Sequence, residues 1–418
     1  MTLNAFSAQQ PTNAGMRNLA APELFYRRIR MNKRTVLTSL IGGLTLAGMA
    51  TVAVAADAKL PKSMVWSAYD LGSSGYAEAS GIANALQKKY PTRIRIVPAG
   101  TSIGRLLPMA TGKVKYGYLA NEVYFAAEGT FDFATQAWGP QDLRIVLGRP
   151  AGVGFAVAKD TGVKTIADLK GKRIGFVKGN PSVNVKNLGY LAFGGLTMKD
   201  IKPVWFGSYS AMKDAVLANQ LDAFGSVPTS SNMRQIEASP RGLIWPPFEP
   251  DNKTGWAAMQ KIISFVAPSK ETKGAALSEK NPVWLVGYRY PMITTYATTT
   301  TDEVYNLVKA IDESFSLYNK TTASSGNWIL DRSAKTPADA PWHDGTIKYA
   351  KEKGIWTAKD QAWHDKRLAR LNQVIALWEK TNTEFDAMRV AERKKGNKIN
   401  AKKAWPAVWE KARKDNLK

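Results

Sequence analysis

Asp168-Leu-Lys-Gly-Lys-Arg-Ile-Gly-Phe-Val-Lys-Gly-Asn-Pro-Ser-Val-Asn184 is the stretch whose reading decides the fold. Asp168 to Lys172 has the composition of a tight polar turn, Arg173 to Val177 that of a short buried strand, and Gly179 to Ser182 that of a loop entering a helix. At the start of such a helix the first backbone N–H groups are unpaired and sit at the positive end of the helix dipole. A small polar loop there can hold an anion without a charged side chain, and Ser182 and Asn184 would add donors. An ordinary strand-to-helix connection has the same local pattern, so the weight falls on whether the unit recurs.

It recurs three times upstream. Met64 to Tyr69 reads as a strand, Asp70-Leu-Gly-Ser-Ser-Gly75 as a glycine-rich loop, and Tyr76 to about Lys89 as a helix with Ala79, Ile82, Ala83, Leu86 and Tyr90 on one face. Pro91 stops that helix, Arg93 to Val97 alternates like a strand, and Pro98-Ala-Gly-Thr-Ser102 leads to a short helix from about Ile103 that Pro108 limits. Tyr116 to Ala120 is the third strand, with Asn121 placed to cap a helix from Glu122 to Glu128 that Gly129 closes. Strands alternating with helices predict an α/β fold with mostly parallel sheets covered on both faces. Ligands in such sheets bind beyond the carboxyl ends of the strands, so these loops are predicted to line one edge.

The rest of the chain divides around that pattern. Leu143 to Val157 reads as a long extended crossover interrupted by glycines and Pro150, and Val283 to Thr295 as the return. Between them lie a strand at Pro203 to Phe206, a helix from Tyr209 to Ala218, and the loop Ser226-Val-Pro-Thr-Ser230. Thr301 to Tyr318 is predicted as one amphipathic helix, Thr321 to Ala340 as loop, and the chain from Trp342 onward as helical. The domain expectation is upstream residues and signal over 1–55, a first lobe over 56–149 with its return at 285–356, a second lobe over 150–284, and a helical extension over 357–418.

Met31-Asn-Lys-Arg followed by the apolar run Val36 to Val54 and Ala53-Val-Ala55 has the form of a cleavable secretory signal, with translation beginning at Met31. The apolar core falls short of the roughly 20 residues needed to span a bilayer. A periplasmic location follows as an expectation, with the mature chain starting at Ala56 or within a residue or two of it. The 418 residues contain no cysteine, which excludes disulfides, thiol chemistry and cysteine-ligated zinc. Net charge is +24, and Arg389 to Lys418 alone holds eleven Lys/Arg, a run that reads as a solvated, partly frayed helix able to touch anionic headgroups or an acidic partner. Nucleic acid is not expected, because no binding module accompanies the charge.

Catalysis finds little support. Only His343 and His364 could supply an imidazole, and both read as surface or capping residues. The phosphate-loop, nucleophile-elbow, zinc-protease and EF-hand motifs are absent from the sequence. Neither a cofactor nor a metal is expected. Of thirteen tryptophans, Trp66, Trp205 and Trp284 lie on predicted strands and read as core, whereas Trp138, Trp245 and Trp256 lie in loops where they could wall a ligand.

The order Gly72-Ser-Ser-Gly-Tyr76, Gly100-Thr-Ser-Ile-Gly-Arg-Leu106, Asp168-Leu-Lys-Gly-Lys-Arg-Ile174, Gly179-Asn-Pro-Ser182, Leu221-Asp-Ala-Phe224 and His343-Asp-Gly-Thr-Ile-Lys-Tyr349 through Gly354 resembles the TAXI family of solute receptors, the extracytoplasmic binding proteins of TRAP transporters. The resemblance covers about Met64 to Trp356. It implies a two-lobed periplasmic binding protein, or Venus flytrap, that is a monomer, is not an enzyme, and captures a small anionic solute such as a carboxylate or glutamate for a TRAP membrane permease. The ligand loops so implied contain Ser73, Ser74, Tyr76, Thr101, Ser102, Arg105, Asn121, Asn180, Ser182, Val183 and Ser226. Two departures stand in those loops: Gly104-Arg105 where the family carries an acid and an amide, and Pro181-Ser182-Val183 where it carries Ser-Gly-Thr. Arg105 could therefore fork onto a carboxylate from the first lobe, or be a solvent-facing arginine of a basic protein. An ABC-type receptor for a small anion, or a periplasmic enzyme or accessory factor on the same scaffold, is the alternative.

Overall fold

The computed structural model describes residues 57–417, so the signal segment and its cleavage site lie outside the described residues. Ten strands are present: β1 (Ser63–Tyr69), β2 (Arg93–Ala99), β3 (Tyr116–Leu119), β4 (Leu143–Ala158), β5 (Arg173–Val177), β6 (Lys202–Phe206), β7 (Ala223–Ser226), β8 (Leu243–Ile244), β9 (Ala267–Glu271) and β10 (Val283–Tyr296). Their order is β2-β1-β3-β10-β4-β7-β5-β6, with β8 on β4 and β9 on β10. The β1/β2, β1/β3, β5/β6 and β5/β7 pairs are parallel, and β4 and β10 are antiparallel to each other and to their other neighbours.

Two lobes follow from that pairing. The 16-residue β4 and the 14-residue β10 each run through both. Toward the first lobe Met292, Ile293 and Thr294 of β10 pair with β3, and toward the second Gly154 to Val157 of β4 pair with β7. The glycines and Pro150 of β4, read from sequence as interruptions, are accommodated in one continuous strand.

Helices cover the sheets: α1 (Ser74–Lys89), α2 (Ser102–Ala110) and α3 (Glu122–Glu128) in the first lobe, then α4 (Pro181–Phe193), α5 (Ser210–Leu217), α6 (Ser231–Glu237) and α7 (Lys253–Gln260) in the second. The chain then returns to α8 (Thr301–Glu313), α9 (Phe315–Tyr318), α10 (Leu330–Ser333) and α11 (Asp344–Glu352), and ends in α12 (Ala358–Lys394) and α13 (Ala401–Asn416). Buried residues that run almost unbroken along β3, β4 and β5, and apolar residues that recur every three to four along the helices, fill the interior. In the second lobe Phe155, Tyr190, Phe248, Phe193 and Trp256 form a chain of edge-on and tilted rings with centres 5.0–5.8 Å apart.

Several sequence expectations change. The helix predicted over 301–318 breaks at the buried Ser314, giving α8 and α9. The predicted loop 321–340 contains a 3-10 turn at Ser325–Trp328 and α10, and buries Trp328. Trp205 is half exposed rather than core, because β6 is the last strand of the sheet. Of the two histidines read as surface or capping, His343 does cap α11 by accepting the Gly345 N–H at 3.1 Å, whereas His364 is a buried residue of α12 that accepts the Trp342 N–H at 3.2 Å, and burial lowers both pKa values.

The C-terminal extension is docked through α12 and α13, while most basic residues after Arg389 stay exposed to solvent. Leu371, Val374, Trp378, Thr381 and Phe385 form one buried stripe of α12 at alternating spacings of three and four. Trp405 and Trp409 of α13 pack on it, with ring centres 4.7 and 4.8 Å from Trp378, and the Trp409 indole donates to the Gly129 carbonyl at 2.6 Å. The Glu128 carboxylate receives Arg367 at 2.6 Å, Arg370 at 3.0 Å and Arg413 at 3.3 Å. Three of the extension's cationic residues are therefore spent on one acid of the first lobe. The two arginines nearest it and their hydrogen bonds outweigh burial and lower its pKa.

Candidate functional site

The opening stretch builds the centre of the site. Asp168 accepts the Lys164 and Thr165 N–H groups and fixes the turn before β5. Gly179 has φ +66°, a left-handed value that glycine adopts without steric cost, and turns the chain from β5 into α4. Asn180 caps α4 by accepting the Val183 N–H, and Pro181 occupies the first helical position. Asn184 is unavailable to a ligand, since it bonds both the N–H and the carbonyl of Val177 at 2.9 and 2.8 Å.

An inter-lobe cavity of about 50 Å³ lies beside the first two turns of α4. One water needs roughly 10–15 Å³ on this measure and about 30 Å³ of liquid volume, so the space suits a molecule of about six to nine non-hydrogen atoms. From α4 come Ser182, Val183, Lys186, Asn187 and Tyr190. The first lobe contributes Tyr69, Ser73, Arg105 and Ala120, and the crossing strands Val153, Tyr288 and Tyr290. Tyr209, Gly225, Ser226 and Val227 complete the wall from the second lobe, next to Asn180.

The two cations at the cavity differ in kind. Arg105 is buried, and its Nε and Nη2 donate to one oxygen of Glu122 at 3.0 and 2.7 Å, while the other oxygen accepts the Ala120 N–H at 2.9 Å. Its guanidinium lies 4.0 Å from the Tyr69 ring centre. Burial acts to lower its pKa, but the Glu122 charge outweighs that and the pKa is raised. Lys186 is also buried, yet its ammonium meets no carboxylate: its contacts are the Ser182 hydroxyl at 3.3 Å, the Tyr288 hydroxyl at 2.5 Å and the face of the Tyr288 ring, 4.4 Å from its centre. Burial lowers its pKa to about 7 against the opposing fields of Glu122 and Asp339, and Arg105 adds to the lowering. No Asp or Glu lines the cavity among the described residues.

The lobes meet through polar bonds around this cavity. Ser102 donates to the Asn180 side-chain oxygen at 2.7 Å, and the Ile103 N–H donates to the Gly179 carbonyl at 3.1 Å. Two second-lobe helices that lack side-chain caps of their own, α5 and α6, have first-turn N–H groups satisfied by acceptors of the first lobe. Asp70 accepts the Ser210 N–H at 3.1 Å and the Gly100 carbonyl accepts the Tyr209 N–H at 3.1 Å. The Gly72 carbonyl accepts the Asn232 N–H in the first turn of α6 at 3.4 Å, and also the Ser230 and Ser231 hydroxyls, both at 2.9 Å.

Of the residues singled out from sequence, Ser73, Arg105, Asn180, Ser182, Val183 and Ser226 line the cavity. Arg105 is not the solvent-facing arginine of one reading, and Glu122 already holds the fork assigned to a ligand in the other. Thr101 caps α2 at Gly104 N–H, Ser102 bonds Asn180, and Ser74 and Tyr76 sit in the first turn of α1 outside the lining. Asn121 makes no side-chain cap for α3; its amide donates to Asp339 at 2.8 Å, on a carboxyl whose pKa burial raises to about 6. Trp138, Trp245 and Trp256 are absent from the cavity wall, and the indoles of the latter two donate to Ala275 and Glu249 carbonyls.

Sequence reasoning missed Lys186, Asn187 and five tyrosines: Tyr69, Tyr190, Tyr209, Tyr288 and Tyr290. A signal existed for α4, where Ser182, Lys186 and Tyr190 recur at i, i+4 along one face of the helix. On the other side of Tyr288 a wider groove of about 630 Å³ runs between α12 and β9, lined in part by Trp363, Arg367 and Phe265.

Two lobes with parallel sheets, joined by two crossing strands around a buried polar cavity, define the class of two-lobed periplasmic binding-protein folds. The model of the NMT1-like family matches residues 71–354, and the chain belongs to that family. Among solved structures it is similar to the alkanesulfonate-binding protein SsuA from Xanthomonas axonopodis pv. citri bound to MOPS (19% identity, 74% of this chain and 86% of that one, TM-score 0.37). A protein from Bordetella bronchiseptica RB50 shares 16% identity over 72% of this chain and 91% of its own, with TM-score 0.42. An amino acid ABC transporter substrate-binding protein from Streptococcus pneumoniae, bound to L-arginine, shares 12% over 62% and 93%, with TM-score 0.38. Likeness at this level says nothing of the solute.

Proposed function

We propose that the chain is an extracytoplasmic solute-binding protein that captures a small anion between its lobes and passes it to a membrane permease. The observation that carries this reading is Lys186, a buried cation facing an inter-lobe cavity with no carboxylate in its wall. An isolated buried ammonium is costly, and a bound anion is the partner that would offset it. Closure over the anion is then favoured because the cross-lobe caps and the ligand contacts form together. Among the described residues no helix is long and apolar enough to cross a membrane.

Thermal-shift screening of residues 56–418 against carboxylates and amino acids, with Lys186→Met alongside, tests the reading. A ligand bound only by the folded state raises the melting temperature, and the rise should be lost in the variant. A panel without any shift would remove the receptor reading. The resemblance of the quoted loops to TAXI receptors supports a TRAP permease as the partner. Co-purification with TRAP membrane subunits is the expected result, and co-purification with an ATPase would assign the chain to an ABC system.

One contact favours a second, catalytic reading: Lys186 lies 3.3 Å from the Ser182 hydroxyl and its pKa is near 7, as a base activating a serine requires. The shorter Lys186 contact, however, is to Tyr288, and the Val183 N–H that could help hold an oxyanion is tied to Asn180. Turnover of simple esters that vanishes in Ser182→Ala would establish that reading in place of the receptor.

A further inference from the structure

We infer, on the basis of the receptor reading, that the cavity selects a compact monoanion bearing a neutral hydrogen-bond donor and no ammonium group, a hydroxy acid rather than an amino acid. The charge count comes first. Arg105 is matched by Glu122 within the first lobe, both side chains being almost fully buried, so it brings no net charge to the cavity. Lys186 alone is uncompensated by contact, which asks for one negative charge.

The exclusion of an ammonium follows from what the wall lacks. An α-amino acid brings a cation that must leave water, and a site that accepts one supplies a carboxylate or a cluster of carbonyls. The described wall has no Asp or Glu, and a second cation would share a space of about 50 Å³ with the Lys186 ammonium. Repulsion between like charges at that distance is weakly screened by a buried environment. Glutamate would meet the same obstacle.

The required donor is read from Asn187. Its side-chain nitrogen donates to the Gly175 carbonyl at 2.9 Å, which fixes the orientation of the amide. Its oxygen is buried and has no partner. Gly225 leaves room for that oxygen, since a Cβ there would lie 2.3 Å from it. The Tyr69 and Tyr190 hydroxyls are likewise buried without partners. These hydroxyls can donate or accept, but the Asn187 oxygen can only accept, so the solute must present an O–H or neutral N–H. A site built to bond a hydroxyl discriminates strongly against the analogue without it, because its own polar atom is then stranded.

Two matched sets test the inference on residues 56–418 by titration calorimetry: propionate, lactate and alanine, and 3-methylbutyrate, 2-hydroxy-3-methylbutyrate and valine, with glutamate added. In the set whose body fits, the hydroxy acid should bind at least about 10-fold tighter than the unsubstituted acid and about 100-fold tighter than the amino acid. Asn187→Leu should bring the hydroxy-to-unsubstituted ratio to near 1 while the unsubstituted acid still binds. If Asn187→Leu does not fold, the wild-type ratios decide alone. An amino acid that matches or exceeds its hydroxy acid, or a ratio that survives Asn187→Leu, overturns the inference. Glutamate binding that Lys186→Met abolishes would overturn it while leaving the receptor reading in place. Absence of binding by every acid in the panel would remove both.

Discussion

Asp70→Ala separates closure from ligand contact. Asp70 follows β1 in the first lobe and its carboxylate accepts the N–H of Ser210 at the start of α5 in the second lobe, at 3.1 Å. That helix has no side-chain cap of its own, so opening the lobes strips its first turn of this acceptor. Loss of an aspartate cap costs about 1 kcal/mol, and its charge against the helix dipole adds roughly 0.3–1 kcal/mol. The closed-to-open ratio should therefore fall by about 10- to 30-fold. Affinity falls by the same factor if the free protein is mostly open, and by less if it is mostly closed. The sequence contains no cysteine, so Lys88→Cys and Lys199→Cys give a unique pair of labels on exposed positions of the two lobes. Pulsed electron spin resonance between these labels should show the short-distance population shrinking in Asp70→Ala. Asp70→Asn, which keeps an acceptor oxygen, should retain most of it. An unchanged distribution in Asp70→Ala, with the cap absent, would refute the reasoning that these bonds hold the lobes together.

Other consequences concern charge, docking and packing. Since Lys186 has its pKa lowered to about 7, an anion that stabilises its charged form raises that pKa and binding takes up a proton above pH 7. Affinity should be level below about pH 7 and fall as pH rises from there; calorimetry at pH 8 in buffers of different ionisation enthalpy measures the uptake, and its absence would mean that Lys186 does not face the solute. Glu128→Ala strands three arginines of the C-terminal extension and should destabilise its docking by about 3–5 kcal/mol, seen as faster amide exchange in α12 and α13 with the cleft unaffected. Trp409→Ala removes a fully buried ring and its bond to Gly129, and should cost about 3–5 kcal/mol in denaturant melts. Gly225→Ala forces the Asn187 amide to move, and should weaken solute binding with little loss of melting temperature.

Much of the fold was legible because its units are local. Glycine loops between apolar strands and periodic helices placed β1 to β3, β5 and the helices behind them, and the first turn of α4 has the cap and Pro181 that the stretch implied. What escaped depends on partners distant in sequence. The Arg105–Glu122 pair needs the end of β3 to bring two residues 17 apart into contact, and nothing in either residue's neighbourhood announces it. The docking of the C-terminal extension escaped because the acid that receives it, Glu128, lies 285 residues before Arg413. Lys186 was hidden for another reason: a lysine one turn into an apolar helix reads as a snorkelling surface residue until the strand carrying Tyr288 covers it. Asn184, singled out as a ligand donor, bonds the strand it follows, as the polar residues of tight connections often do.

The most direct test of anion capture is a crystal structure of residues 56–418 with the acid that gives the largest thermal shift. The anionic oxygens should lie between the lobes within about 3 Å of the Lys186 ammonium and the Ser182 hydroxyl, with Arg105 still held by Glu122. Density for the acid in the groove between α12 and β9, or on the outer basic surface, with the cavity beside α4 empty, would contradict the assignment of the site.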